Sequence, residues 1–370
     1  MIRMNRRNNA LLACLCISLF VFSGCAKQPQ EVLLVYPSHP DEPRIAYLRS
    51  YSGVNDFGQN SFFDSLLGSP ERAFPKPYGV SVAGSKIFVT LTGVGCGVAV
   101  LDTKEQTMTR LRSKDLKLPT GVASMPDGGV FVADATAKKI FRFDPSGQQI
   151  ASFSSPDGIK NPGGLALSVD GSRLYVADAY DHSVKVFSPT GGFLFQFGGN
   201  GQADGKFLYP SNIAVDRRNG NVIVVDTQNF RVQVFDRDGK FIRKFGEIGD
   251  VPGSFSRPKG VGVDSEGHLY ITDAAFSNMQ IFDENGQLLL FFGERGNIPG
   301  SFDLPAGVYI DAEDRIYVVD SLNSRVQVFQ YLSDKWKQGH PAEYQKYLLI
   351  GQPAPGSAAS GAGSKEQKKQ

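Results

Sequence analysis

The chain has 370 residues, with 39 basic and 37 acidic side chains, 41 glycines, and 27 phenylalanines beside a single tryptophan. The near balance of charge shows no basic bias of the kind that nucleic-acid-binding domains carry. Abundant glycine and phenylalanine are typical of many short strands joined by tight turns. Length and composition therefore indicate an all-β protein with one large domain or two ordinary ones, and no nucleic-acid partner.

The first 24 residues predict a lipoprotein signal peptide. Three arginines precede the apolar run of residues 10–22, which is too short to span a bilayer comfortably, and Phe-Ser-Gly leads into Cys25. This junction resembles the lipobox of bacterial lipoproteins, in which the cysteine is acylated and becomes the new N-terminus. The alternative is an ordinary secretory signal. We expect a durable lipid anchor at Cys25, in the bacterial cell envelope and by resemblance at the outer membrane.

Three further segments lie outside the repeated part of the chain. Residues 25–42 are polar and interrupted by prolines, which predicts a tether. Residues 334–350 predict a C-terminal helix or extension that packs on the main domain or, alternatively, binds a partner. Residues 351–370 have almost no large apolar side chain, so we expect them to be disordered.

Between these ends the sequence repeats with a period of 42 to 48 residues. Each of the six units begins with a proline, a spacer and usually a glycine, and a short apolar strand follows. Most units then show three further apolar or β-branched runs, with turn pairs such as Asp238-Gly239 between the third and the fourth. The starting prolines are Pro77, Pro119, Pro162, Pro210, Pro258 and Pro305.

Each unit therefore predicts a four-stranded antiparallel sheet. The second strands are apolar at nearly every position, which requires cover on both faces of the sheet, and a radial arrangement of sheets provides that cover. The sixth unit lacks a fourth strand, and residues 43–53 resemble the missing strand. We predict a six-bladed β-propeller over residues 43–333, closed by this N-terminal strand, with residues 54–73 as the crossing segment.

The stretch "FGERGNIPGSFDLPAGVYID", followed by "RIYVVDSLNSRVQVF", resembles the NHL repeat of six-bladed propellers. An aspartate follows the second strand in five of the units, and two units add an asparagine and an arginine. One catalytic centre does not need a copy in each blade, whereas a structural turn does, so we assign these residues to structure. They are Asp134, Asp178, Asp226, Asn229, Arg231, Asp273, Asp320, Asn323 and Arg325.

Because successive strands alternate in direction, the start of each first strand and the loop between the second and third strands share one side of the disc. We call this side the loop face, and the opposite side the lower face. Side chains on loops held by a rigid scaffold are candidates for partner contacts. The predicted contacts are Tyr78, Tyr180, His182, Asn212, Gln228, Phe230, Lys259 and Phe276. Alternatively, the two phenylalanines fold back onto neighbouring loops.

The resemblance implies a non-catalytic binding or scaffold protein, which we expect to be a monomer that recognises a protein, peptide or glycan. It also implies a partner among envelope or secreted proteins, including multihaem cytochromes. A purely architectural role in an envelope complex fits the sequence equally well.

The alternative from another class is a metal-dependent enzyme. NHL-like propellers include zinc lyases that act on peptidyl hydroxyglycines, and similar folds include calcium-dependent lactonases. The four histidines are placed so that no three can converge on one zinc ion, and we therefore predict no catalytic residue and no zinc site. Oxygen ligands for calcium carry no fixed spacing in a propeller, so a calcium site stays open.

Overall fold

The computed structural model describes residues 32–57, 74–111 and 113–350, and from Leu33 onward these belong to one compact unit. The predicted signal peptide, Cys25, most of the crossing segment 54–73 and the tail 351–370 lie outside the described residues. Residues Val54–Phe57, at the start of that crossing segment, form a short 3-10 helix.

The described residues form six antiparallel sheets, five with four strands and one with five. Blade one contains β3 (Pro77–Ala83), β4 (Lys86–Leu91), β5 (Gly97–Asp102) and β6 (Thr107–Leu111); blade two contains β7 (Pro119–Ser124), β8 (Val130–Asp134), β9 (Lys139–Phe143) and β10 (Gln149–Phe153). Blade three contains β11 (Pro162–Leu167), β12 (Leu174–Asp178), β13 (Ser183–Phe187) and β14 (Phe193–Gly198); blade four contains β15 (Pro210–Val215), β16 (Val222–Asp226), β17 (Arg231–Phe235) and β18 (Phe241–Phe245). Blade five contains β19 (Pro258–Val263), β20 (Leu269–Asp273), β21 (Asn278–Phe282) and β22 (Leu288–Phe292); blade six contains β23 (Pro305–Ile310), β24 (Arg315–Asp320) and β25 (Arg325–Tyr331), together with β1 (Val35–Tyr36) and β2 (Ile45–Tyr51).

The predicted all-β, six-bladed propeller is confirmed, and the first strand of every blade begins at the proline that predicted it. The burial of the strands follows their radial position. Every residue of β8, β12, β16 and β20 is buried, because each second strand is covered by both neighbouring blades. The outer strand β18 alternates between half-buried and exposed side chains, as expected for a strand with one face in water.

The N-terminal strand closes the ring, as predicted. β2 pairs antiparallel with β25, from Ile45 opposite Tyr331 to Tyr51 opposite Val326. Ile45 and Tyr51 are both buried, one against each neighbouring apolar cluster. The polypeptide's early residues therefore complete the blade that its late residues begin.

The tether prediction for residues 25–42 is wrong at β1, which adds a fifth strand to blade six by pairing with β2. Apolar contacts hold this strand in place. Val35 is buried beside Leu332 and Tyr347, and Tyr36 stacks on Phe292 with ring centroids 4.5 Å apart. A strand of two residues is too short to give a periodic signal in the sequence, so the pattern missed it.

Residues 334–350 contain two short helices, α1 (Asp334–Gly339) and α2 (Pro341–Leu348), at the outer edge of blade six. Glu42, in the segment between β1 and β2, links both helices to blade six. Its carboxylate accepts hydrogen bonds from Lys337 Nζ at 2.7 Å and Tyr344 Oη at 2.6 Å. These bonds lower the pKa of Glu42 to about 2. Within the described part of the chain, no helix has the length and apolar character needed to cross a bilayer.

Candidate functional site

A cavity of about 630 Å³ opens on the loop face of the disc. Five of the eight predicted contact residues line it: Tyr78, Tyr180, Gln228, Phe230 and Lys259. The remainder of its lining comes from the starts of first strands, from loops between second and third strands, and from the ends of the segments that connect blades: Thr120, Asn161, Pro162, Gly163, Ala179, Tyr209, Ser211, Thr227, Ser256 and Arg257.

The floor of this cavity is fixed by hydroxyl groups that bond one blade to the next. Thr120 Oγ1 donates to the carbonyl of Pro162 at 2.7 Å, and Ser211 Oγ donates to that of Lys259 at 2.9 Å. Ser321 Oγ does the same between blades six and one, with a 2.7 Å bond to the carbonyl of Pro77. Because these hydroxyls are occupied by structural bonds, they hold the rim in shape rather than offer themselves as nucleophiles.

The wall from blades three and four is aromatic. The backbone N–H of Tyr209 donates to Nδ1 of His182 at 3.1 Å, and the two rings meet edge to face with centroids 4.7 Å apart. Tyr180 packs on the other side of Tyr209 at 5.8 Å. His182 therefore lies behind the wall, where it positions Tyr209, and it is not part of the cavity lining. Tyr180 stays 59% exposed and Tyr209 36% exposed, so both rings present a free edge.

Phe230 extends this wall on blade four. It follows the 3-10 turn Thr227–Asn229 in the left-handed conformation, with φ of 52°, and its ring is half-buried against the apolar cluster between blades four and five. The two readings of Phe230 from the sequence both hold in part, since the ring packs on its neighbours and also lines the cavity.

The wall from blade five is cationic. Arg257 and Lys259 stand on either side of Pro258 at the start of β19, and both line the cavity. The backbone N–H of Arg257 is held by the buried carboxylate of Asp273, at 2.9 Å from Oδ2. Within the described residues, neither guanidinium nor ammonium group makes a hydrogen bond or ion pair.

The charges beneath blade three balance one another. Asp181 accepts hydrogen bonds from Lys160 and from Lys185, whose Nζ also lies 3.9 Å from Asp178. Burial opposes ionisation of Asp181, but the two lysine bonds outweigh it and lower its pKa to about 2. Two carboxylates and two ammonium groups thus cancel, which leaves Arg257 and Lys259 as the uncompensated charges of the cavity.

A narrower cavity of about 270 Å³ continues along the axis and shares Tyr78 and Thr120 with the first. It narrows because the first strands approach one another closely: a Cβ on Gly121 would overlap the carbonyl of Gly163. Asn212 lies here, and the prediction that it joins the loop-face contacts is wrong. As the third residue of β15 it lies inside the channel, and its Oδ1 accepts a 2.8 Å bond from the N–H of Ile213.

Phe276 lies in the loop between β20 and β21 and is outside the cavity lining, so its role as a partner contact stays a prediction. It takes the position that Asn229 and Asn323 occupy in blades four and six. Its ring is half-buried, and its backbone N–H donates to Asp273 Oδ1 at 3.1 Å.

The recurrent aspartates are buried and bind backbone N–H groups of the segments that connect blades. Asp134 accepts from Lys117 and Leu118 of such a segment and from two N–H groups of the loop that follows its own strand, and Asp178 accepts from Lys160 and Asn161. In blades four and six the motif is fuller. Asp226 pairs with Asn229 and Arg231, Asp320 pairs with Asn323 and Arg325, and each guanidinium also donates to three carbonyls of the preceding connection. Burial raises the pKa of Asp226 and Asp320, and their hydrogen bonds oppose that rise.

The lower face carries a separate polar cluster at the turns of blades five and six. Asp264 Oδ2 contacts His268 Nδ1 at 2.8 Å and accepts from Tyr270 at 3.0 Å, and Asp314 accepts from Ser265. Both carboxylates therefore have their hydrogen-bond partners within the cluster. Across residues 32–57, 74–111 and 113–350, no three histidine, cysteine, aspartate or glutamate side chains are grouped so that they could hold a metal ion.

Tyr209 and Arg257 are two large side chains of the cavity that were not predicted as contacts. Both directly precede the proline that starts a first strand, whereas the predicted contacts at these strand starts follow the proline. The position itself was the available signal, because the residue before such a proline lies at the same rim as the residue after it.

Comparison with known proteins supports the fold. Residues 159–232 and 219–276 match a family model described as a 6-bladed beta-propeller, and residues 302–329 match the model of the NHL repeat. The chain is a six-bladed propeller that carries an NHL repeat.

Curated relatives match only parts of this chain. The protein brain tumor of Drosophila melanogaster is 38% identical over 60 residues, which are 16% of this chain and 6% of the relative. Peptidylglycine alpha-amidating monooxygenase of Rattus norvegicus is 26% identical over 148 residues, 33% of this chain and 15% of the relative. NHL-repeat-containing protein 4 of Homo sapiens is 38% identical over 69 residues, 19% of this chain and 54% of the relative. The chain thus spans about half or much less of each relative's length.

Solved structures share the architecture at low identity. A structural genomics protein of unknown function from Bacteroides thetaiotaomicron has a TM-score of 0.56 at 15% identity, with 70% of each chain covered. A catalytically inactive virginiamycin B lyase from Staphylococcus aureus, solved with quinupristin, has a TM-score of 0.53 at 16% identity and covers 71% of this chain and 82% of its own. At such identities the likeness concerns the fold alone.

Proposed function

We propose that this protein is a non-catalytic binding propeller, anchored by lipid at Cys25 in the bacterial envelope, that holds a segment of a protein partner on its loop face. The observation that carries the proposal is the composition of the loop-face cavity. Its described lining contains aromatic rings, amides and two cations, but no carboxylate, imidazole or thiol. Carboxylate, imidazole and thiol are the groups that most often serve as general bases and nucleophiles, whereas aromatic rings and cations are the groups that recognition uses most.

The rigidity of the rim also suits recognition. Hydroxyl-to-carbonyl bonds between blades and the aspartate-bound connections hold the loops in place, so a partner meets a preorganised surface. Tyrosine and arginine are the side chains most often found at the centres of protein interfaces, because they bury large areas at low conformational cost.

Site-specific photo-crosslinking tests the proposal. A benzoylphenylalanine at Gln228, in the cavity, should capture one envelope protein in stoichiometric yield. The same probe at Gln287, an exposed glutamine on the lower face of blade five, is the matched control. Equal capture from both positions, or none from Gln228 in envelope fractions, would contradict a loop-face partner.

The lipid anchor has its own test. A Cys25→Ser variant should move from the detergent phase to the aqueous phase in detergent partitioning, because the acylated residue is lost. Unchanged partitioning would refute the anchor while leaving the loop-face proposal intact.

A metal-dependent lyase or lactonase is the second candidate, favoured by the partial similarity to peptidylglycine alpha-amidating monooxygenase. For that candidate the purified protein should contain tightly bound zinc or calcium by elemental analysis. It should also turn over a lactone or a peptidyl-hydroxyglycine substrate. Stoichiometric metal with metal-dependent turnover would replace the binding proposal.

A further inference from the structure

We propose that the loop-face cavity recognises an acidic residue adjacent to an apolar one in an extended segment of the partner. In this arrangement Arg257 and Lys259 bind the carboxylate, and Tyr180, Tyr209 and Phe230 pack on the neighbouring side chain. The inference rests on the proposed function and adds the chemistry of what is bound.

The charge of the cavity lining indicates the charge of the ligand that it can bind. Its described lining has two cations and no carboxylate, and the nearby Asp181 is already paired with Lys160 and Lys185. The buried Asp273 beneath Arg257 accepts backbone N–H groups and makes no ion pair with the guanidinium. An anionic group that enters the cavity therefore meets two cations at the surface, while the nearest carboxylate, Asp273, is buried behind the backbone with its oxygens engaged by N–H groups.

The two cations are arranged for one carboxylate. Arg257 and Lys259 line the cavity from either side of Pro258 at the start of β19, and the backbone of both is hydrogen-bonded to neighbouring groups. A guanidinium can bind both carboxylate oxygens through paired N–H bonds, and an adjacent ammonium adds a second charge. Two cations are too few for the long row of phosphates in a nucleic acid, whose binding requires many such contacts.

The aromatic wall determines what accompanies the carboxylate. Tyr180 and Tyr209 are large side chains left substantially exposed at a rigid rim, and Phe230 continues the same surface. Gln228 and Asn161 supply amides that can bond a peptide backbone, as both donor and acceptor. A volume of about 630 Å³ is in the range of single-ligand pockets and accommodates a short segment rather than a folded domain.

The test is a selection of random linear peptides on the immobilised full-chain protein. Enriched peptides should carry Asp or Glu next to an aromatic or aliphatic residue. Fluorescence anisotropy of the best peptide should show about tenfold weaker binding for Arg257→Gln and for Lys259→Gln, the loss of one charge-assisted bond each. Higher salt should weaken the wild-type complex further.

A matched control removes the same charge elsewhere. The double variant Lys104→Gln/Lys240→Gln alters two exposed lysines in hairpin turns of the lower face and should bind the peptide as the wild type does. Tyr209→Ala should weaken binding while leaving its salt dependence unchanged, because the ring contributes no charge. Thermal melts of every variant show whether the fold is kept.

The outcomes separate the two proposals. Enrichment of neutral or basic peptides, or equal binding by the Arg257→Gln and Lys259→Gln variants, would overturn the acidic ligand but keep a peptide-binding face. No enrichment above a control protein would overturn peptide recognition itself. Competition by a single-stranded oligonucleotide at concentrations near the peptide Kd would assign the cations to a polyanion instead.

Discussion

Blade five lacks an arginine that blades four and six use to hold their connecting segments, and restoring it should stabilise the protein. Arg231 and Arg325 lie five residues after the aspartates of their blades, and Asn278 takes that position in blade five. The Oδ1 atom of Asn278 is buried and has no hydrogen-bond partner among the described residues. The substitution Asn278→Arg should therefore remove an unsatisfied atom and rebuild a known network.

The size of the expected stabilisation can be estimated from the equivalent arginines of blades four and six. The guanidinium of Arg325 makes one 2.8 Å bond to Asp320 and bonds of 2.8 to 2.9 Å to three carbonyls. Bonds of this kind contribute about 0.5–1.5 kcal/mol each, and burying the cation and fixing its side chain cost several kcal/mol in return. We expect a net gain of about 1 kcal/mol in the free energy of unfolding, or a rise in Tm of roughly 2–4 °C.

Differential scanning calorimetry and urea unfolding measure this gain. The double variant Asn278→Arg/Asp273→Asn is the control, because it leaves the new guanidinium without its carboxylate and should be less stable than the wild type by about 3 kcal/mol or more. The substitution Phe276→Asn, added to Asn278→Arg, completes the motif and should raise Tm further. An unchanged or lower Tm for Asn278→Arg with the native far-UV spectrum would refute the reasoning.

Three further outcomes test other parts of the structure. Gly121→Ala should lower the free energy of unfolding by about 1–3 kcal/mol, since its methyl group would overlap a carbonyl of blade three, whereas Gly339→Ala meets open space and should change it little by urea titration. The hydrogen bond that His268 donates to Asp264 raises the pKa of His268, so its stabilisation is complete below about pH 6.5 and is lost as pH rises through the raised pKa. The variant His268→Asn should reduce the pH dependence of the urea midpoint in that window. Glu42→Gln should speed hydrogen exchange in α2 while costing less than about 1 kcal/mol, because the carboxylate is largely exposed; its contribution in the wild type is present above about pH 4.5 and is lost as pH falls toward the lowered pKa.

The sequence predicted the propeller well because the features that define a blade are local and repeat. A proline at each strand start, an apolar second strand and an Asp-Gly or Asn-Gly turn each report on a few neighbouring residues, and six copies make the pattern unambiguous. Closure by β2 was predictable for the same reason, since the count of strands left one blade incomplete. The strand β1 was missed because its two residues are stabilised by distant contacts with α2 and Phe292.

The candidate site was predicted less completely because a side chain's direction depends on more than its position in the repeat. The alternation of strands correctly assigned Tyr78, Gln228 and Lys259 to one rim. It could not tell that Asn212 would turn into the channel, because that depends on how closely the first strands of neighbouring blades approach. Tyr209 is oriented by a hydrogen bond to His182 in the preceding blade, a contact between residues 27 positions apart that no local pattern encodes.

The distribution of variable positions around the ring supports a binding role for the loop face. The residue after each starting proline is Tyr, Thr, Gly, Ser, Lys or Ala in turn, although the proline before it recurs in every blade. A sixfold repeated scaffold that binds one ligand must break its symmetry where contact occurs and keep it where blades pack. Cations from blade five and aromatic rings from blades three and four break that symmetry most strongly, and they meet at one cavity. Transferring Arg257 and Lys259 to the matching positions of blade six, Leu304 and Ala306, in a chain that lacks them in blade five, should therefore not restore binding, because those positions lie outside the cavity that the aromatic wall lines.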